Sequence, residues 1–137
     1  MKMNPVVHFE MSYTDRDRII EFYNKAFGWE SKKLGPEMGN YVVTATTEMD
    51  KNNMPKQAGA INGGFYERMK NAEYPSVVIS VPDINEAIKR VEKAGGKILG
   101  GMKPGKPDDI PGVGLYISFL DSENNRVGML QANSMNL

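Results

Sequence analysis

Apolar and polar residues alternate along Val6–Met11. Val7, Phe9 and Met11 fall on one side of an extended chain, and His8, Glu10 and Ser12 on the other. The period then changes. Ile19, Ile20, Tyr23, Ala26 and Phe27 recur at helical spacing behind Thr14, a capping residue. Asp15 and Asp17 would occupy the first turn, where the helix dipole favours carboxylates. Gly28 stops the helix and Trp29 resumes extended chain. The same succession returns later. Val77, Ile79 and Val81 share one face of a strand, and Asp83 with Glu86 reads as a cap with its capping-box partner. Ile84, Ala87, Ile88, Val91 and Ala94 form the stripe, and Gly95-Gly96 stops it. Asp15 and Asp83 stand 68 positions apart, and the same offset carries Phe27-Gly28 onto Gly95-Gly96 and His8 onto Ser76.

Three strand signals follow each helix: residues 29–34, 41–48 and 57–63 in the first half, and 97–103, 112–120 and 126–131 in the second. The stretches "LGPEMGN", "DKNNMP", "KPGKPDDIPG" and "DSENN" between them carry turn chemistry. The spacing predicts one α+β domain over residues 1–137, made of two βαβββ modules at 5–64 and 76–131 joined by a linker at 65–75. Each helix covers one sheet face. The opposite face, with His8, Glu10 and Ser12, is left for a partner. Two sheets curving round a shared cleft would supply one.

Composition narrows the function classes. Lys+Arg and Asp+Glu both number 17 and no basic run stands out, so nucleic-acid binding is not expected. No apolar run approaches the roughly 20 residues that span a bilayer, so no membrane association is expected. The start lacks a secretory apolar region, which points to the cytoplasm. Cysteine is absent, excluding disulfides, thiolate metal sites and a catalytic thiol.

Three segments carry a resemblance. "HFEMSYTDRDRIIEFYNKAFGW", "ISVPDINEAIKRVEKAGGKIL" and "FLDSENNRVGMLQ" are similar to the first module, second module and closing hairpin of the vicinal oxygen chelate superfamily. That family comprises glyoxalases, bleomycin-resistance proteins and extradiol dioxygenases. The match runs from about Pro5 to Gln131, and the chain most resembles a branch related to lactoylglutathione lyase. The resemblance implies a homodimer and a small-molecule ligand. In metal-dependent members it also implies four ligand positions, His or Gln on each first strand and Glu near each module's end, around a Lewis-acid metal. His8 fills the first position, but its counterpart is Ser76, the last-strand Glu falls on Gly128, and the remaining position falls near Asn62. One ligand of four does not make a site.

The expected reading is metal-independent binding of a small molecule in the inter-module cleft, with no cofactor. His8, Glu10, Asn62, Ser76 and Gly128 are the candidate ligand-binding residues. The alternative is a divergent lyase, isomerase or dioxygenase with a divalent metal at His8 and Glu10, joined by Glu48 or Gln57. A third is a scaffold with a vestigial cleft. Whether any catalysis occurs is left open. "AGAINGG" and "GGFYERM" lack the phosphate-binding patterns and read as turns and close backbone approach. Phe65, Tyr66, Tyr74 and Tyr116 are aromatics for either a cleft or a core.

Overall fold

The structure, a computed structural model, describes residues 2–70 and 74–133. The expected linker at 65–75 lies partly outside the described residues. The chain divides into two compact units. One runs from His8 to Pro75, and the other joins the residues up to Val7 to those from Ser76 onward.

In the unit from His8, β1 (Val6–Tyr13) leads into α1 (Arg16–Phe27), followed by β2 (Glu30–Lys33), β3 (Val42–Ala45) and β4 (Asn62–Glu67). The sheet order is β2-β3-β4-β1, with β4 parallel to β1 and the other pairs antiparallel. The helix cap is Asp15 rather than Thr14. Asp15 accepts from the Arg18 N–H, while Thr14 Oγ1 accepts from the Arg18 guanidinium. Gly28 closes the helix in the left-handed region at φ 74°, which a glycine adopts without penalty. Phe9 and Met11 face the helix as the alternation predicts, against Ile19, Ile20 and Tyr23 and around buried Tyr13, Val42 and Phe65. Tyr23 stacks on Trp29 at 4.5 Å between ring centroids and on Phe65 at 5.5 Å. Fully buried Phe65 contributes about 1.5–3 kcal/mol, and the half-buried Tyr23 and Trp29 rings less.

The second unit repeats the plan. β5 (Ser76–Ser80) and α2 (Ile84–Lys93) are followed by β6 (Lys97–Gly100), β7 (Asp108–Ile110), β8 (Gly114–Leu120) and β9 (Arg126–Ala132). Its order, β5-β9-β8-β6, mirrors that of the first, with β5 parallel to β9 and β7 on the edge of β8. Asp83 caps α2 as expected, accepting from Asn85 N and Glu86 N, and Gln131 Oε1 takes the Ile84 N–H. The Glu86 carboxylate turns to Lys89 at 3.6 Å. Val81, Ile84, Ala87, Ile117, Phe119 and Met129 form the buried core.

Two elements differ from expectation. The strand placed at 57–63 runs instead over Asn62–Glu67, taking in the first residues of the expected linker. A three-residue strand, β7, occupies part of the Pro/Gly-rich stretch read as a loop. Among the described residues no helix is long and apolar enough to cross a membrane.

Candidate functional site

β1 and β4 run parallel, with His8 beside Asn62, Glu10 beside Gly64 and Ser12 beside Tyr66. Paired positions in a parallel ladder point to the same side, so these six share the sheet face away from α1. Two glycines make room for two rings on opposite faces. A Cβ on Gly63 would stand 2.5 Å from the Phe9 ring, and a Cβ on Gly64 would stand 2.0 Å from Tyr41 Oη. Of the glycines of "AGAINGG", Gly63 and Gly64 are thus sites of close approach within a strand, while Gly59 sits in a turn at φ 84° with open space around it.

Tyr41, just before β3, is the residue that sequence reasoning missed. Its ring lies over Gly64, and its hydroxyl donates to Glu10 Oε2 at 3.0 Å and sits 2.9 Å from His8 Nε2. A phenol has one proton to donate, and here it is directed at Glu10 Oε2. His8 therefore donates from Nε2 and carries its lone pair on Nδ1. Burial lowers the His8 pKa below the ordinary 6.5, and the nearby Glu10 charge opposes this with a smaller raising effect. The imidazole is thus neutral at pH 7, joined to a carboxylate through one phenol.

The other expected residues fall as follows. Asn62 Oδ1 accepts from Thr46 N at 2.8 Å, so the amide anchors the chain after β3. Ser12 Oγ accepts from Arg68 Nε at 3.0 Å. Glu48 is exposed and faces Lys56 at 3.8 Å. Phe65 is core, and Tyr74 is 80% exposed. In the second unit Ser76 is buried, and its Oγ has no hydrogen-bond partner among the described residues. A Cβ on Gly128 would meet the Tyr116 ring at 2.7 Å.

Register narrows one placement. Gly128 lies beside Val78 on β5, and the position that matches it in the first unit lies beside Glu10 on β1, which is Gly64 rather than Asn62. Tyr116, opposite Leu130, and Tyr41, one residue before the Val42–Phe65 pair, are likewise matched. Each unit has a bare glycine where the resemblance calls for a Glu, and a tyrosine ring stands over it. A divalent metal would not fit these residues. His8 Nε2 is spent on Tyr41, both acidic positions lack side chains, and no cluster of three or more His, Cys, Asp or Glu able to hold a metal occurs among the described residues.

A model of the Glyoxalase/Bleomycin resistance protein/Dioxygenase superfamily matches residues 6–129. Lactoylglutathione lyase of Oryza sativa subsp. japonica is 30% identical over 126 residues, 90% of this chain and 43% of that protein. The probable chloroplastic lactoylglutathione lyase of Arabidopsis thaliana is 27% identical over 116 residues, 83% of this chain and 31% of that protein. The chain thus spans less than half the length of these two relatives. Among solved structures, Streptomyces coelicolor methylmalonyl-CoA epimerase in complex with 2-nitronate-propionyl-CoA is similar with a TM-score of 0.66 at 10% identity, covering 97% of this chain and 100% of that one. Methylmalonyl-CoA epimerase from Mycobacterium tuberculosis gives a TM-score of 0.62 at 11% identity, covering 95% and 89%. At such identities the likeness is one of fold.

Proposed function

We propose that this chain, which belongs to the Glyoxalase/Bleomycin resistance protein/Dioxygenase superfamily, binds a small organic molecule on the His8–Glu10 face of its first module without a metal. The observation that carries this reading is Tyr41, whose hydroxyl joins His8 to Glu10 over a bare Gly64. A neutral imidazole and a carboxylate both accept hydrogen bonds, so the face suits a ligand with hydroxyl or N–H donors. A homodimer belongs to this proposal, as the resemblance implies.

The test combines metal analysis with ligand screening. Protein purified without chelator is expected to hold no stoichiometric metal. A thermal-shift screen is expected to yield stabilising compounds whose effect shrinks in Tyr41→Phe, which keeps the ring over Gly64 and removes only the hydroxyl. Stoichiometric Ni, Zn, Fe or Mn that disappears in His8→Ala would overturn the proposal in favour of a metal-dependent enzyme. A screen in which no compound class stabilises the protein would favour a scaffold role. Light scattering after size exclusion reads the oligomeric state.

A further inference from the structure

The two modules fill the space between helix and sheet differently. In the first, Tyr23, Trp29 and Phe65 stack there. The 68-residue offset carries Tyr23 onto Val91 and Trp29 onto exposed Lys97, and strand register carries Phe65 onto Met129. None of these three positions carries an aromatic ring in the second module, whose core has Phe119 from β8 instead. Beside these positions the second module has a cavity of about 520 Å³ that is broadly open to solvent, lined by Val91 and Ala94 of α2 over the core residues Ala87, Phe119 and Met129. That volume lies in the range of small-ligand pockets, roughly 300–1,000 Å³. Arg90, half-buried, and Lys93, exposed, line it too, and Asn4 adds an amide. No acidic residue lines the cavity, and neither cation has an ion-pair partner among the described residues. Both sit in the last turn of α2, where their charge outweighs the negative end of the helix dipole.

We propose that this cavity binds an aryl carboxylate. The ring would take the space that the sister module gives to its Tyr23–Trp29 stack, and the carboxylate would pair with the Arg90 guanidinium. Shape and charge favour the same occupant. The walls are mostly apolar, and among the described residues the charged groups on them are cations that a carboxylate can meet in a charge-assisted hydrogen bond. This site is separate from the His8 face and stands whether or not that face binds a ligand.

The experiment is a titration of the full chain with 4-phenylbutyrate, followed by methyl NMR. Saturable shifts are expected at the Val91, Val81, Ile79 and Met129 methyls. The neutral analogue 4-phenylbutanol should bind about tenfold more weakly, and Arg90→Gln should weaken the acid by a similar factor. Val91→Tyr, which installs the sister module's ring, should abolish the shifts. If that variant does not fold, the Arg90→Gln comparison still decides, because Arg90 is outside the core. The absence of saturable shifts, equal binding of the alcohol, or full binding by Arg90→Gln would each overturn the proposal. Shifts of the same methyls on raising protein concentration alone would assign the cavity to a second copy of the chain, and would also overturn it.

Discussion

Tyr41 stands where a side chain at position 64 would have to go, and that exclusion can be measured. Gly64→Ala would bring a methyl within 2.0 Å of the Tyr41 hydroxyl, which two hydrogen bonds hold in place. We expect a loss of about 1–3 kcal/mol in urea unfolding, and a loss smaller than additive when it is combined with Tyr41→Ala. Gly128→Ala, whose methyl would meet the edge of the Tyr116 ring at 2.7 Å, should cost less. Strict additivity of the first pair would mean that the ring does not fill that space. His8 supplies a second test. Burial depresses its folded pKa below 6.5, so below that pH the unfolded chain binds a proton that the folded chain refuses. The stability contributed by neutral His8 is therefore full above pH 6.5 and falls as pH drops through 6.5 towards the folded pKa. As the single histidine, His8 should titrate in NMR with a midpoint below 6.5, and His8→Gln should flatten the stability profile between pH 7.5 and 5. A midpoint at or above 6.5 would contradict the burial argument. The alternation around His8 was enough to place it beside Glu10 on one face. Tyr41 was not legible, because its meeting with them depends on how β3 registers against β4, and no local pattern encodes that.

At the level of elements, caps and alternation were readable because their causes are local. Both helices and their glycine stops follow from side chains within a turn of the boundary. The cap of α1 fell one residue from its expected place because Thr and Asp both cap well, and Thr14 is instead held by the Arg18 guanidinium. Asp15→Ala and Asp83→Ala should each cost about 0.5–2 kcal/mol in thermal or urea unfolding. Asp83, which satisfies two N–H groups against one for Asp15, should cost the more, and Thr14→Ala should be close to neutral. A larger loss at Thr14 than at Asp15 would return the cap to the threonine. β4 was misplaced for a different reason. Gly63 and Gly64 weaken any local strand signal, yet the strand needs them, since the Phe9 and Tyr41 rings lie against its two faces. β7 escaped notice because Asp108–Ile110 sits among prolines and glycines and pairs only at an edge.

Across the whole chain the repeat was the most informative quantity, and its irregularity shows where a fixed offset stops matching the two modules. The first strands and helices match at 68 residues, but Gly64 and Gly128, matched by register, stand 64 apart. The first module is thus four residues longer between helix and last strand: a fixed offset of 68 carries Gly128 back to Ala60, whereas register selects Gly64. Charge is the other property that belongs to the chain as a whole. Equal numbers of acidic and basic residues leave no net charge near neutrality, and the isoelectric point is about 6.6. Little long-range repulsion then opposes contact between molecules that expose Phe22, Phe27 and Met102 at 57%, 65% and 84%. We expect solubility and the second virial coefficient from light scattering to be lowest near pH 6.6 and to rise by pH 8.5. Replacing Phe22 and Phe27 together by Ser should raise both near the isoelectric point. Both side chains are more than half exposed but their rings meet Tyr23, and Phe27 also meets Trp29, so the replacement should lower the thermal midpoint modestly while raising solubility. A solubility curve flat across this range would show that charge does not govern association. A minimum at pH 6.6 that the double replacement leaves untouched would show that association runs through some surface other than α1.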